Sequence, residues 1–187
     1  MHARPERLQD RLYHDWLLPE EARDVRAAVR RFVDEEVEPV AGRLNTETEA
    51  AGIFPWTLFR RMSELGLYRI PFDAVQGGRG LRFPLCAAAV TMEELAYASD
   101  GLATIFDDHC LLPGVALLHG TASVRERYLL PLMDGTKVAC MAITEPEAGS
   151  DLSAETIHTR AVVDGDWFVV TGRKRFITNA PVGDFAT

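Results

Sequence analysis

The sequence predicts an α+β chain: an all-α helical domain over residues 1–135, followed by an incomplete antiparallel β domain over residues 136–187. Two observations predict it. Up to about residue 135, apolar residues recur at the three- and four-residue spacing of buried helix faces. From Lys137 onward, β-rich runs alternate with turn residues. A third observation qualifies the β domain. Its three or four predicted strands are too few to close a barrel or sandwich. The expectation is that another chain completes it, or that the sequence is a fragment.

Pro19-Glu20-Glu21 starts the first helix, with a proline in the first turn and carboxylates near the positive end of the dipole. Ala22, Val25, Val29, Phe32 and Val33 form its buried face, and Pro39 is expected to kink or end it. A second helix starts near Pro55 and stops at Gly66. A third, Pro84 to Ala98, is apolar on most sides and is expected to be central. A fourth runs from about Leu102 to Leu118, perturbed at Pro113 and ended by Gly120. The fifth, Ala122 to Met133, turns Arg125, Glu126 and Arg127 outward and Leu129, Leu130 and Leu132 inward, with Asp134-Gly135 closing it. Then Val138 to Ile143 reads as a strand, and Ile157 to Val163 and Trp167 to Thr171 as a hairpin about Asp164-Gly165. Lys174 to Thr178 reads as a further strand.

With 47% hydrophobic residues the chain can build a core, and a net charge of −8 argues against nucleic acid as a partner. No apolar run reaches the length of a membrane span. Arg4, Arg7 and Arg11 are interleaved with Glu6, Asp10 and Asp15, and no apolar core follows, so neither a secretory signal nor a transit peptide is expected. Cys86, Cys110 and Cys140 are scattered, as in a reducing compartment. A cytoplasmic location follows as the expectation.

Two segments near the C-terminus carry the chemistry. In Lys174 to Asn179, strand alternation would place Phe176 and Thr178 on one face and Ile177 on the other, offering an aromatic plane beside a hydroxyl. An ordinary strand with a core Phe and a surface Thr is the plainer reading. In Met141 to Asp151 a strand ends at Thr144, and Glu145-Pro146 breaks the ladder. The amides of Gly149-Ser150-Asp151 and the Ser150 hydroxyl could then hold a phosphate. A strand followed by a capped turn with no ligand is the plainer reading of that segment alone. Asp107-Asp108-His109-Cys110 are consecutive on a helix and diverge, so no metal site is expected there. Gly77-Gly78-Arg79-Gly80 has neither the preceding strand nor the following lysine of a phosphate loop, and reads as a tight turn.

Together the segments resemble the flavin signature of the acyl-CoA dehydrogenase family, T-E-P-x-A-G-S-D followed by K-x-W-I-T-N. Here they stand as Thr144 to Asp151 and Lys174 to Asn179. Ile70-Pro71 with Gly77 to Gly80, Glu93-Glu94-Leu95-Ala96, and Gly120-Thr121 through Arg127-Tyr128-Leu129-Leu130-Pro131-Leu132 to Gly135 resemble further family motifs. The resemblance implies an acyl-CoA dehydrogenase-like fold: a helical domain, a middle β domain and a C-terminal four-helix domain. This sequence supplies the first and about half of the second. It also implies FAD as cofactor. By the resemblance Met141, Ala142, Ile143 and Thr144 would line the flavin, with Thr144 hydrogen-bonded to its pyrimidine edge. Gly149 and Ser150 would lie near the pyrophosphate, Ser150 also near bound acyl-CoA. Phe176, where the family often has Trp, would stack on the ring, with Ile177 and Thr178 beside it.

The implied reaction is α,β-dehydrogenation of an acyl-CoA thioester, with electrons passing to an electron-transfer flavoprotein, in fatty acid and lipid metabolism. The family's catalytic carboxylate lies in the C-terminal domain, so no catalytic residue is assigned here, and Glu145 and Glu147 belong to the cofactor scaffold. An oligomer, homomeric or heteromeric, is implied. Alternatives of the same fold remain: a half subunit of a heteromeric complex, an acyl-CoA oxidase, or a flavin-dependent monooxygenase. The chain by itself is expected to be inactive and to bind FAD weakly or not at all.

Overall fold

The computed structural model describes residues 7, 15–47 and 54–187; Arg4, Glu6, Asp10 and Arg11 lie outside the described residues. The chain divides into two compact units, one ending at Thr104 and one spanning Ile105–Thr187.

In the first unit, Pro19 stands immediately before α1 (Glu20–Phe32). Ala22, Val25, Val29 and Phe32 are buried, as their spacing predicts, and Val33 extends the stripe. Pro39 does not end the helix. A π-helical turn, Val33–Val37, is inserted, and α2 (Glu38–Glu47) runs on through the proline. Further along the chain, α3 (Trp56–Glu64) buries Leu58, Phe59 and Met62 and ends at Gly66. Phe59 sits among Phe54, Trp56 and Tyr68, with ring centroids 5.3, 6.0 and 5.1 Å away, and Tyr68 donates a hydrogen bond to the Phe59 carbonyl. The 77–80 segment is a tight turn, in which a Cβ on Gly78 would stand 2.0 Å from the Phe72 carbonyl oxygen. Next, α4 (Pro84–Ala98) packs on α1 through Ala87, Ala88, Val90, Thr91, Glu94 and Leu95. Its other face leaves Leu85, Ala89, Ala96 and Tyr97 exposed within the chain. The helix is thus less central than its all-round apolar pattern predicts, because such a pattern does not say which face finds a partner.

The next helix repeats the proline device. It comprises α5 (Asp100–Phe106), a π turn (Asp107–Leu111) and α6 (Leu112–Leu118), which contains Pro113. A third instance is α7 (Ala122–Val124), a π turn (Arg125–Leu129) and α8 (Leu130–Met133), which contains Pro131. In all three, the residue just before proline donates its N–H to the carbonyl five residues back: Glu38 to Val33, Leu112 to Asp107, Leu130 to Arg125. Proline lacks an N–H, and its ring crowds the carbonyl four residues back. Widening the turn ahead of it relieves that crowding and lets the helix continue. The disturbance predicted at Pro113 therefore sits in the turn before it. The same insertion shifts the phase of the last helix: Leu129 and Leu132 are buried as predicted, but Leu130 is exposed.

The Asp100–Leu118 helix is long and apolar enough to meet the length and composition of a membrane span, with mean hydropathy 1.3. Asp107 and Asp108 at its middle, and the buried Phe106, His109, Cys110 and Leu117, mark it as a core helix.

Four short strands follow among the described residues: β1 (Ala139–Cys140), β2 (Arg160–Asp164), β3 (Trp167–Thr171) and β4 (Phe185–Ala186). The antiparallel expectation holds for β2 and β3, which pair from Arg160↔Thr171 to Asp164↔Trp167. Gly165 and Asp166 form the turn, one residue later than predicted, because Gly165 (φ 61°) supplies the positive φ required at the first central position. In contrast, β1 pairs in parallel with β4. Every residue of β2 and β3 is exposed within the chain, including Val162, Val163, Trp167 and Phe168. The strand predicted from Lys174 to Thr178 does not form.

Candidate functional site

The two signature segments lie side by side in the second unit. β1 ends at Cys140, so Met141 to Thr144 lie outside the ladder, which stops earlier than predicted. Ala142 N–H still reaches the Thr187 carbonyl at 2.9 Å. The chain then turns sharply over Pro146-Glu147, closed by a bridge between Glu145 and Ala148. Against this segment lies the second one. Arg175 N–H donates to the Thr144 carbonyl (2.9 Å), and the Lys174 ammonium donates to the Ile143 carbonyl (3.0 Å).

Glu145 joins the pieces. Its side chain is buried, and its two oxygens accept from His158 N–H (2.7 Å), Thr159 N–H (2.9 Å) and Lys174 Nζ (2.9 Å). Thr159, the Lys174 ammonium and the His158 amide, in that order of effect, hold the carboxyl down to about 2. Thr159 Oγ1 itself lacks a hydrogen-bond partner in the structure. The holding contacts are therefore the two amides and the ammonium. An unfolded glutamate titrates near ~4.3. The stabilisation is thus full above that pH and is lost as pH falls toward 2. Thr159 is also where the hairpin closes tightest: a Cβ on Gly172 would stand 2.1 Å from its hydroxyl.

The face expected of the second segment, Phe176 with Thr178, rested on strand alternation and is corrected. Phe176 adopts φ 57° and Asn179 φ 65°, so the chain turns instead of alternating. The left-handed region is strained for a bulky side chain. Phe176 is nonetheless 78% exposed, with the Arg175 guanidinium 4.3 Å from its ring centre. Ile177 and Thr178 are half-buried. Burial raises the Asp108 pKa, and the Thr178 hydroxyl partly lowers it. Burial, then the neighbouring Asp108 charge, likewise raise the Asp107 pKa.

Asn179 closes the second motif. It is only 6% exposed, and its amide nitrogen donates to the carbonyls of Ile105 (3.3 Å) and Ala139 (3.2 Å). Its Oδ1 is buried with no partner. The frequency of Asn in left-handed conformations was the available signal. His109 is fully buried. Ala139 N–H donates to its Nδ1 (3.2 Å), which leaves Nε2–H to donate to the Leu132 carbonyl (3.0 Å). Burial lowers its pKa to about 4, so the ring is neutral.

The remaining predicted residues are open. Gly149 and Ser150 are exposed, and nothing lies within 4 Å of where a Cβ on Gly149 would stand. No positive φ demands glycine there either. An exposed aromatic ring on strained backbone, a glycine that the chain itself does not require and an orphaned buried acceptor fit a flat heteroaromatic ligand with an anionic tail.

The first unit holds a charged cluster that spacing alone did not reveal. Glu94, fully buried in α4, pairs with Arg7, Arg26 and Arg30, and the Arg30 Nη2 bond measures 2.8 Å. Asp15 and Glu93 also pair with Arg26, and Asp34 with Arg7. The signal was Arg26 inside the apolar stripe of α1, one turn from Arg30, opposite a glutamate in an apolar helix.

The architecture is α+β, helical first and then the start of a β domain. The acyl-CoA dehydrogenase N-terminal domain profile matches residues 19–136, and the middle-domain profile residues 140–187. The chain belongs to the acyl-CoA dehydrogenase family. It is 36% identical over 171 residues to the short-chain specific acyl-CoA dehydrogenase of Clostridium acetobutylicum, covering 91% of this chain and 43% of that protein. It is 35% identical over 172 residues to the caffeyl-CoA reductase-Etf complex subunit CarC of Acetobacterium woodii, covering 89% of this chain and 42% of that protein. The structure of a glutaryl-CoA dehydrogenase from Mycobacterium smegmatis in complex with FADH2 superposes with a TM-score of 0.81 at 26% identity, over 94% of this chain and 43% of that one. The chain thus spans well under half the length of these relatives.

Proposed function

We propose that this chain supplies the helical N-terminal part and one wall of the flavin pocket of an FAD-dependent acyl-CoA dehydrogenase. The observation that carries this is Phe176: a ring 78% exposed, on a left-handed backbone, within the second signature segment. In this reading Met141, Ala142, Ile143 and Thr144 line the flavin, and Phe176 offers its ring with Ile177 and Thr178 beside it. Gly149 lets backbone approach the pyrophosphate, and Ser150 serves both pyrophosphate and acyl-CoA. When bound, the flavin supplies the hydride acceptor for α,β-dehydrogenation of an acyl-CoA thioester. Glu145 binds no proton at neutral pH and is fully engaged, so it orients neighbours and does not abstract the substrate proton. No catalytic residue is assigned to this chain.

An electron-transfer flavoprotein as acceptor is supported by the Etf-complex relative. Three free thiols support a reducing, cytoplasmic setting. The doubly exposed apolar hairpin supports cover by further polypeptide, in a homo- or hetero-oligomer active in lipid metabolism. The test is the visible spectrum of the purified natural gene product, followed by anaerobic acyl-CoA addition. Bound FAD that bleaches with an acyl-CoA is expected. A flavin-free product that takes up none, or a bound flavin that no acyl-CoA bleaches, would overturn the reading.

A further inference from the structure

We infer that Glu145 and Lys174 are a positioning pair that holds the two signature segments in one frame, so that ligand affinity at the wall depends on them. The inference rests on the flavin reading for the identity of the ligand, and on geometry for the rest. Glu145 belongs to the first segment and Lys174 to the second, 29 residues apart, and they meet at 2.9 Å. Lys174 also binds the Ile143 carbonyl, so its ammonium bridges the main chain and the side chain of the first segment. The next residue repeats the tie through backbone, from Arg175 N–H to the Thr144 carbonyl. Glu145 adds the amides of His158 and Thr159, which fixes the base of the hairpin to the same point.

Neither segment has a ladder of its own here: residues 141–144 and 172–175 form no regular secondary structure. The two are tied to each other by this set of contacts around one buried carboxylate, and the first is also held by Ala142 N–H on the Thr187 carbonyl. The residues assigned to the ring lie directly beside it, Ile143 and Thr144 before Glu145, and Phe176 two residues after Lys174. The acidic and basic members of the two motifs are therefore one unit, and their role is to orient the wall.

The test combines amide hydrogen exchange with FAD titration of the natural gene product and its E145Q, K174M and K174R variants. Exchange is read in peptides covering 141–148, 156–160, 173–179 and, as a control, 84–98. In E145Q and K174M, exchange is expected to speed up about tenfold or more in the first three and not in the control. The double variant should add less than the sum of the singles, as for groups in one network. K174R should behave as wild type. The FAD dissociation constant should rise about tenfold in E145Q and K174M only, since coupled contacts share their loss. Faster exchange confined to 156–160, with FAD affinity unchanged, would reduce Glu145 to a local hairpin anchor and overturn the inference. If the wild type takes up no FAD, the flavin reading fails. The exchange pattern then decides by itself whether the pair frames the two segments.

Discussion

Glu94 in the helical unit and Glu145 in the β-bearing unit are both buried carboxylates, and they are satisfied in opposite ways. Glu94 is surrounded by side chains: the guanidiniums of Arg7, Arg26 and Arg30. Glu145 takes two main-chain amides and one ammonium. The difference follows from the backbone around each. In helices the amides are already spent on the i→i−4 ladder, so a buried carboxylate must find cations. Where the chain is extended but unpaired, amides are free, and a carboxylate can organise the main chain itself. A charge in the helical unit therefore ties helices together, whereas a charge in the β unit shapes a surface.

The strongest way to break the comparison is Glu94→Ala. It removes the buried carboxylate that three guanidiniums share, two of them nearly fully buried, and leaves Arg7 with Asp34 and Arg26 with Asp15 and Glu93. A loss of about 3–5 kcal/mol is expected in chemical denaturation. Glu145→Gln should leave that helical unit untouched and loosen only its own surroundings. A loss below 1 kcal/mol for Glu94→Ala would mean that the cluster is no more than a surface ion pair.

His109 sharpens the contrast within the second unit. Its ring is held neutral with a pKa of about 4, against an unfolded value near 6.5. A depressed histidine contributes fully above pH 6.5, and stability falls as pH drops to 4, by about 3 kcal/mol in total. Unfolding measured across that window should show the decline in the wild type and not in His109→Gln. A decline of equal size in the variant would locate it elsewhere.

Gly172→Ala tests the base of the hairpin. A methyl there meets Thr159 Oγ1 at 2.1 Å and the Thr159 Cα at 2.7 Å. The cost should be about 1–3 kcal/mol, as for overpacking elsewhere, and Thr159→Ser should leave much of it because backbone is also in the way. The smallest effect is expected at the exposed ladder. Phe168→Ala removes a ring that is 73% exposed. It should change the unfolding free energy of this chain by less than about 0.5 kcal/mol. Phe59→Ala, in the aromatic cluster, should cost about 3–5 kcal/mol. A large effect at Phe168 would show that the hairpin is covered in solution.

Much of the architecture was legible in the residues. The stripe from Ala22 to Val33, the start and stop of the helix at 56–64, and the hairpin about Gly165 follow from local spacing and turn chemistry. Each side chain's periodicity encodes whether its own face is buried. The signature segments identified the family without coordinates. Other features were decided only by the tertiary structure. Pro39 reads as a kink or an end, Pro113 as a perturbation and Pro131 as an ordinary position inside a helix, yet the structure places a π turn before each. The segment at 174–178 looked like a strand, but ties to Ile143, Thr144 and Glu145 and the left-handed Phe176 pull it out of any ladder. Glu145 looked like one scaffold residue among several, and the fold makes it the point where two motifs meet. Local pattern records a residue's preference for burial or for a turn, while the partner of a buried charge is set by chain segments 29 residues apart, as for Glu145 and Lys174. That information exists only once the segments are folded against each other.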